Sequence, residues 1–489
     1  MLFNSYQFLV FFPIVVLLYF VVPKRVQHIW LLAASYYFYM CWEAKYIVLL
    51  LFVTIVSYFG GRMLEGIERK RIRKWVVIIS SLACLSLLCC FKYFDFLLST
   101  LNGVIELFHG QGIVSPIHFV LPVGISFYTF QAIGYLIDVY RKEIAAEKGF
   151  LNYALFVSFF PQLVAGPIER SGNLLEQIKK RHFFSFERMR EGLLIMMWGF
   201  FLKLVIADRT AVFVDAVYNN YQEYGGYYLI VATILFGIQI YCDFAGYSTI
   251  AVGAAHILGI RLMENFDCPY LAQSVAEFWR RWHISLTSWF RDYLYIPLGG
   301  NRKGKGRKYL NILIVFLASG LWHGAEWSFV LWGGLNGLYQ IIGELLRPVR
   351  AGVTRKLQLN PESLGSKVVK GFFTFVLVDF AWIFFRAPTI QDAFGIIKNM
   401  VTVSNPWILM DGSLYELGID QHNFCLMLLA IGILLFADCM KRRGYNIRGI
   451  LLKQDVWCRW FCYLAALFAI VILGRYGTSY GSTFIYFQF

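Results

Sequence analysis

Two histidines in the second half of the chain have side chains that could transfer protons. His283 lies in residues 278–286 (Phe-Trp-Arg-Arg-Trp-His-Ile-Ser-Leu), and His323 lies in residues 319–325 (Ser-Gly-Leu-Trp-His-Gly-Ala). An imidazole titrates near neutral pH, so it accepts or releases a proton where few other side chains can. Both histidines belong to a strongly apolar chain, in which an ionisable side chain is costly and is therefore a candidate functional residue.

The composition predicts the elements that must position these histidines. Of the 489 residues, 58% are hydrophobic and 15% are charged, whereas soluble domains carry about 25% charged residues. Apolar runs approach the ~17–25 residues that a membrane-spanning helix needs. Examples are residues 8–22, 76–90, 228–241, 372–385 and 463–473. We predict an all-α polytopic transmembrane bundle of roughly ten to twelve spans, as a single membrane domain over residues 1–489.

The net charge of +15 is interpreted as a topology signal. Basic residues cluster in short segments between the apolar runs, and such segments face the cytoplasm and contact anionic membrane lipid. The segments are residues 60–75, 141–148, 169–190, 280–308, 347–370 and 441–453. Because no basic patch lies on a soluble domain, nucleic acid is not a predicted partner.

Prolines and polar residues interrupt two apolar runs in the first half of the chain. The first interruption covers residues 121–131 and ends at Gln131, and the second covers residues 159–167. Proline removes a helical hydrogen bond, so the freed backbone groups must find partners in protein or water. We predict re-entrant pieces that line a cavity; a kink in an ordinary span is the alternative.

Residues 277–291 predict one amphipathic helix. An interfacial helix with snorkelling arginines and an aromatic belt explains Arg280, Arg281 and Trp282. It does not explain His283 beside them. The alternative is a cytoplasmic mouth at which the arginines attract a phosphorylated donor.

The residues alone leave the role of His323 open. A lone buried histidine is usually structural, and the glycines around it allow close approach of either a neighbouring helix or a ligand. Asp243 and Tyr247 are polar residues in another apolar stretch. They either line the same cavity or fix helix packing.

Several classes of site lack their signatures. Residues 299–306 resemble a phosphate-binding loop, but Gly306 stands where a serine or threonine should bind magnesium. There is no Gly-x-Ser-x-Gly elbow, and the ten cysteines show no metal-ligand spacing, so we predict no metal site. A transporter stays open as a distant alternative, because transporters also contain broken helices and buried polar residues.

Taken together, these blocks resemble the membrane-bound O-acyltransferase (MBOAT) family, most closely the membrane subunits of bacterial alginate and peptidoglycan O-acetylation systems. The matching blocks are residues 122–131, 160–168, 243–248, 278–286, 291–301, 320–325 and 382–387. The resemblance implies a helical bundle around a tunnel, with His323 as the catalytic residue and His283 as the second active-site residue. The active-site region is then residues 278–325. We assign substrate-binding roles to Arg280, Arg281, Trp282, Trp322, Asp243, Tyr247 and Gln131.

The resemblance also implies the reaction. An acyl group, expected to be acetyl from acetyl-CoA as co-substrate, would pass from the cytoplasm to a hydroxyl on the outer side of the bacterial cell membrane, with no bound cofactor. The acceptor would be an extracytoplasmic polysaccharide, or a serine on an SGNH-hydrolase-like acyltransferase partner that relays the group. D-alanyl transfer for teichoic-acid modification is the alternative within the family.

Overall fold

The computed structural model describes residues 1–23, 25–108, 121–476 and 485. Within them the regular structure is helical and contains no β-strand, which confirms the predicted all-α class. The chain forms two compact units. Unit 1 comprises Met1–Met196 and Ile250–Met263, and unit 2 comprises Met197–Thr249 and Glu264–Phe489.

Unit 1 is built mainly from the first half of the chain, and α3, α4 and α6 pack together in it. Its helices are α1 (Tyr6–Val21), α2 (Gln27–Met40), α3 (Ile47–Gly66), α4 (Lys70–Leu88), α5 (Phe94–Leu107), α6 (Ile125–Arg141), α7 (Phe150–Ser158), α8 (Phe160–Leu163), α9 (Ser171–Lys179) and most of α10 (Phe186–Phe200). A 3₁₀ turn at Ala44–Tyr46 precedes α3, and a π-helical turn at Cys89–Tyr93 joins α4 to α5.

The two interrupted segments of the sequence meet within unit 1. Gly124 has φ +77° directly before α6, and an added Cβ there would overlap the carbonyl oxygen of Leu163. The side-chain amides of Gln131 and Gln162 both donate to the carbonyl oxygen of Phe156, at 2.9 and 2.8 Å. The two glutamine side chains therefore donate hydrogen bonds to a backbone carbonyl beside the break between α7 and α8. In an apolar environment such a backbone group needs a partner within the protein.

Unit 2 carries both histidines of interest. Its helices are α11 (Asp208–Tyr218), α12 (Tyr227–Ile257, whose last residues belong to unit 1), α13 (Val275–Arg281), α14 (Ile284–Phe290), α15 (Lys305–His323), α16 (Trp327–Leu345), α17 (Arg347–Lys356), α18 (Leu364–Arg386), α19 (Ile390–Thr402), α20 (Gln421–Arg442), α21 (Ile447–Leu452) and α22 (Val456–Leu473). Short 3₁₀ turns lie at Pro269–Leu271, Pro406–Leu409 and Ser413–Glu416, and π-helical turns lie at Phe201–Ala207 and Arg291–Tyr295.

Helices long and apolar enough to cross a membrane confirm a multi-pass membrane protein. Within the described residues there are six: Ala44–Gly66, Lys70–Leu107, Tyr227–Ile257, Leu364–Arg386, Gln421–Arg442 and Val456–Leu473. They are fewer than the ten to twelve spans predicted, because other apolar runs lie in helices that are shorter, such as α1, or more polar, such as α15 and α16.

Candidate active site

His283 lies at a sharp break between two short helices. The single amphipathic helix predicted over residues 277–291 is wrong, because α13 ends at Arg281 and α14 begins at Ile284. His283 itself has φ +44° and ψ 54°, a left-handed conformation that is uncommon for a residue with a Cβ. Such strain persists only where the surroundings enforce it, and it is concentrated at functional sites.

Asn265 enforces this break. Its carbonyl oxygen accepts a hydrogen bond from the amide of Ile284 at 2.9 Å, and its side-chain oxygen accepts one from the amide of Ser285 at 3.2 Å. These amides open α14, where they have no partner inside the helix. Tertiary hydrogen bonds therefore override the helical periodicity of the sequence. They fix the backbone of His283 at the break between α13 and α14.

His323 is the last residue of α15, and glycines bring α16 close to it. A Cβ on Gly320 would overlap the backbone of Phe329, and one on Gly333 would overlap the carbonyl oxygen of Phe316. Gly324 follows His323 in an extended conformation and ends the helix. The small residues around His323 thus serve the close packing of α15 on α16.

The fold brings the two histidines together. Their ring centroids are 6.4 Å apart, with the planes inclined at 59°. The side chain of Trp322 lies 5.9 Å from His283 and 4.9 Å from His323, centroid to centroid. His283 is 1% exposed and His323 is 4% exposed, so the two imidazoles form a pair withdrawn from solvent.

Aromatic rings enclose this pair. Phe244 lies edge-on to His283 at 4.6 Å, while Trp332 and Phe385 contact His323 at 5.1 and 5.5 Å. Burial among these apolar rings lowers the pKa of His283 to about 3. His283 is therefore a neutral imidazole near pH 7, and the hydroxyl of Ser285 lies 3.5 Å from its Nδ1.

The chain is similar in sequence to known proteins. The sequence profile of the membrane-bound O-acyltransferase family matches residues 141–358. The chain is 34% identical to a protein named probable alginate O-acetylase AlgI from Pseudomonas putida, over the full length of both chains. It is 35% identical to the peptidoglycan O-acetyltransferase of Helicobacter pylori, over 82% of this chain and 80% of the relative.

The chain belongs to the membrane-bound O-acyltransferase family. It is accordingly an O-acyltransferase, and the alginate and peptidoglycan relatives support acetylation. A more distant relative, the teichoic acid D-alanyltransferase of Streptococcus thermophilus, is 28% identical over 54% of this chain and 68% of the relative.

The arginines of the predicted acyltransferase mouth differ in their partners. The guanidinium of Arg281 pairs with Asp267 at 2.6 Å and with Glu277 at 3.0 Å, which ties α13 to the preceding loop. Arg280 is exposed, and no carboxylate of the described chain lies within ion-pair distance of it. Trp282 is buried, stacked on Phe278 at 5.2 Å.

Asp243 and Tyr247 lie on α12, and Asp243 belongs to a buried ion cluster. Lys203 places its Nζ 2.6 Å from Oδ1 of Asp243 and 2.8 Å from Oδ1 of Asp208, and the amide of Ile485 donates to Oδ2 of Asp243 at 2.8 Å. Tyr247 is 2% exposed. Of the predicted substrate-binding residues, Gln131 is in unit 1, where it makes the hydrogen bond to Phe156 described above.

Sequence reasoning missed the residues that hold and enclose the histidines. Asn265, Trp332 and Phe385 come from separate segments, and an aromatic residue in an apolar run carries no signal of its spatial neighbour. Lys203 had a usable signal, because it is a charged residue inside the apolar run of residues 200–207. Within the described chain, no group of three or more His, Cys, Asp or Glu side chains is arranged to hold a metal ion.

Proposed function

We propose that this O-acyltransferase moves an acetyl group from acetyl-CoA, supplied on the cytoplasmic side, to a hydroxyl group on the outer side. The observation that carries the proposal is the buried pair His283 and His323, 6.4 Å apart among aromatic rings. The acetyl group is supported by relatives named for O-acetylation of alginate and of peptidoglycan. The proposed acceptor is an extracytoplasmic polysaccharide, or a serine on an SGNH-hydrolase-like partner that relays the group to it.

In the first step, His323 acts as general base. Its imidazole takes the proton of the acceptor hydroxyl while the hydroxyl oxygen attacks the thioester carbonyl carbon. A C–O bond forms, and the carbonyl oxygen becomes an oxyanion. A correctly placed base of this kind contributes roughly 10²- to 10⁴-fold in rate.

His283 is the proposed donor to that oxyanion. A neutral imidazole carries one N–H, and the depressed pKa of about 3 keeps His283 in this form. Asn265 and the left-handed backbone fix the ring before substrate arrives, which is the condition under which oxyanion donors are most effective. When the C–S bond breaks, the departing thiolate takes the proton from His323, so the products are an ester and free CoA.

The surroundings of the pair support transfer rather than hydrolysis. A thioester held among buried aromatic rings is shielded from water, the competing acceptor. Trp322 contacts both imidazoles and is the proposed wall of the acyl site, with Trp282 and Tyr247 as further proposed substrate contacts. For the phosphates of CoA we propose Arg280 and the basic loop of residues 303–308, since Arg281 is already paired.

D-alanyl transfer is the competing reaction. It is favoured by the similarity to teichoic acid D-alanyltransferases, which extends over about half of this chain, whereas the similarity to an alginate O-acetylase covers all of it. Family membership favours an enzyme over the transporter interpretation.

The test uses the full chain in nanodiscs with radiolabelled acetyl-CoA, and separately with a D-alanyl carrier-protein thioester. Each donor is supplied with and without a candidate extracytoplasmic partner, and thioester loss is followed. We expect loss of acetyl-CoA in the unmodified protein and a fall of about 10³-fold in His323→Ala.

His422→Ala is the matched control, because His422 is exposed at the start of α20. It should retain full activity. Consumption of the D-alanyl thioester alone would replace the proposed donor, and unchanged acetyl transfer in folded His323→Ala would remove His323 from catalysis.

A further inference from the structure

Unit 1 contains a basic cavity to which the proposed acyl-transfer mechanism assigns no role. Its volume is about 290 Å³, near the ~300 Å³ lower end of ligand pockets. Leu31, Leu155 and Ile178 are among its lining residues. The described lining contains no carboxylate, and six of its side chains are basic in type: Arg25, His28, Lys179, Lys180, Arg181 and His182.

A buried glutamine holds the two walls of this cavity together. Gln27, 5% exposed, donates through Nε2 to the carbonyl oxygens of Tyr19 and His182, each at 3.1 Å. The first contact is with the end of α1 and the second is with the loop after α9. The basic loop is therefore fixed against the corner between α1 and α2 without any ligand.

Two of the basic side chains already have partners. Lys179 forms an ion pair with Glu147 at 2.8 Å. Nε2 of His182 lies 2.9 Å from the carbonyl oxygen of Gln177, and a carbonyl only accepts, so this nitrogen carries the hydrogen. Burial lowers the pKa of His182, which keeps its other ring nitrogen a lone-pair acceptor. Neither residue is available to an anion.

Three permanent cations remain at the cavity. Within the described chain, no carboxylate lies at ion-pair distance from Arg25, Lys180 or Arg181, in contrast to Arg281 of unit 2 with its two carboxylate partners. Cations gathered at one concave surface raise the local positive potential and attract anions. Guanidinium and ammonium groups bind phosphate oxygens with charge-assisted hydrogen bonds.

We propose that this cavity binds the phosphate group of an anionic ligand through Arg25, Lys180 and Arg181. The phosphate can belong to a lipid headgroup or to a soluble phosphate ester. Phe183, Phe184 and Phe186 follow the basic loop and are 59%, 54% and 62% exposed, and basic residues combined with exposed apolar rings are found in segments that lie in the membrane interface. The size of the cavity suits a phosphate with a small substituent.

The site is tested with the full chain and two kinds of variant. Lys180→Gln with Arg181→Gln removes charge, and Asn152→Phe fills the cavity without changing charge. The matched control is Arg355→Gln with Lys356→Gln, an exposed basic pair on α17. None of these positions lies in the histidine pocket, so acetyl transfer in nanodiscs should persist and reports that the variants are folded.

Two measurements separate the sources of phosphate. Native mass spectrometry follows retention of phosphatidylglycerol from nanodiscs that mix it with phosphatidylcholine. Thermal unfolding of delipidated protein in detergent compares inorganic phosphate with chloride at equal ionic strength. We expect retention or saturable stabilisation in the unmodified protein and the α17 control, and a loss of about tenfold or more in the cavity variants.

Each outcome decides the proposal. Selective loss of retained phosphatidylglycerol identifies a lipid headgroup, whereas stabilisation by inorganic phosphate without lipid retention identifies a soluble phosphate ester. The site is overturned if the α17 control loses as much as the cavity variants, or if neither probe distinguishes the cavity variants from the unmodified protein. Should the double variant not fold, Asn152→Phe alone decides.

Discussion

Two regions of unit 2 bury ionisable side chains in different surroundings. In the ion cluster, Lys203, Asp208 and Asp243 are each at most 2% exposed, and the ammonium lies within 2.8 Å of both carboxylates. In the histidine pocket, His283 and His323 are buried to a similar degree. There aromatic rings enclose the imidazoles.

The difference distinguishes a region suited to stabilising the fold from a region suited to catalysis. A buried charge is tolerated when a partner of opposite charge compensates it, and that compensation leaves little of the charge for a substrate. An imidazole can be buried in its neutral form, so His283 needs no counter-ion and keeps the N–H of a neutral imidazole. We infer that changes in the ion cluster act mainly on folding, whereas changes in the histidine pocket act mainly on turnover.

The largest effect is expected from breaking the ion cluster. Lys203→Met leaves Asp208 and Asp243 buried without their cation, which costs about 3–5 kcal/mol of folding free energy. The thermal unfolding midpoint in detergent should fall by several degrees.

A compensated variant tests the cause. Lys203→Met combined with Asp208→Asn and Asp243→Asn removes all three charges and should recover most of the lost midpoint. Lys356→Met, an exposed change in the same unit, is the control and should leave the midpoint unchanged. If Lys203→Met unfolds at the normal temperature, the cluster does not stabilise unit 2.

A smaller loss, seen in turnover, is expected in the histidine pocket. His283→Asn keeps a side-chain N–H donor and a residue type that tolerates the left-handed conformation at φ +44°. His283→Val keeps neither. We expect His283→Val to lower the turnover number by roughly a hundredfold. His283→Asn should lower the turnover number clearly less.

Turnover and unfolding must be measured on the same preparations. If Asn and Val reduce turnover equally, a donated hydrogen bond from residue 283 is not part of the mechanism. If both lower the unfolding midpoint as much as Lys203→Met does, the distinction between the two regions fails.

The sequence predicted the class of fold well, and for a physical reason. Apolar runs report the cost of exposing residues to lipid or water, and the runs at residues 228–241, 372–385 and 463–473 lie inside α12, α18 and α22. The division of residues 277–291 into two helices was not predictable, because the amides of Ile284 and Ser285 are held by Asn265, which is distant in sequence.

The candidate site was predicted in part. His283 and His323 were singled out as ionisable residues in an apolar chain, and their proximity was inferred only from the family resemblance. The rings around them, such as Trp332 and Phe385, had no distinguishing pattern. Lys203 was missed although it is a charged residue in an apolar run, and its two carboxylate partners become evident only when α11 and α12 are folded.

The smallest expected effect concerns pH, and it is the contribution of His283 to the pH dependence of folding stability. The pKa of His283 is about 3 in the folded protein, against about 6.5 for an unfolded histidine. Between these values the unfolded chain binds a proton that the folded chain does not, so folding stability falls as the pH falls through this window, by up to ~1.4 kcal/mol per pH unit. His283→Asn removes this contribution. From about pH 7 to about pH 5, its unfolding midpoint should fall less than that of the unmodified protein. Parallel pH dependence in the two proteins would mean that His283 is not held neutral by burial, and the contrast between the pocket and the ion cluster would lose its electrostatic basis.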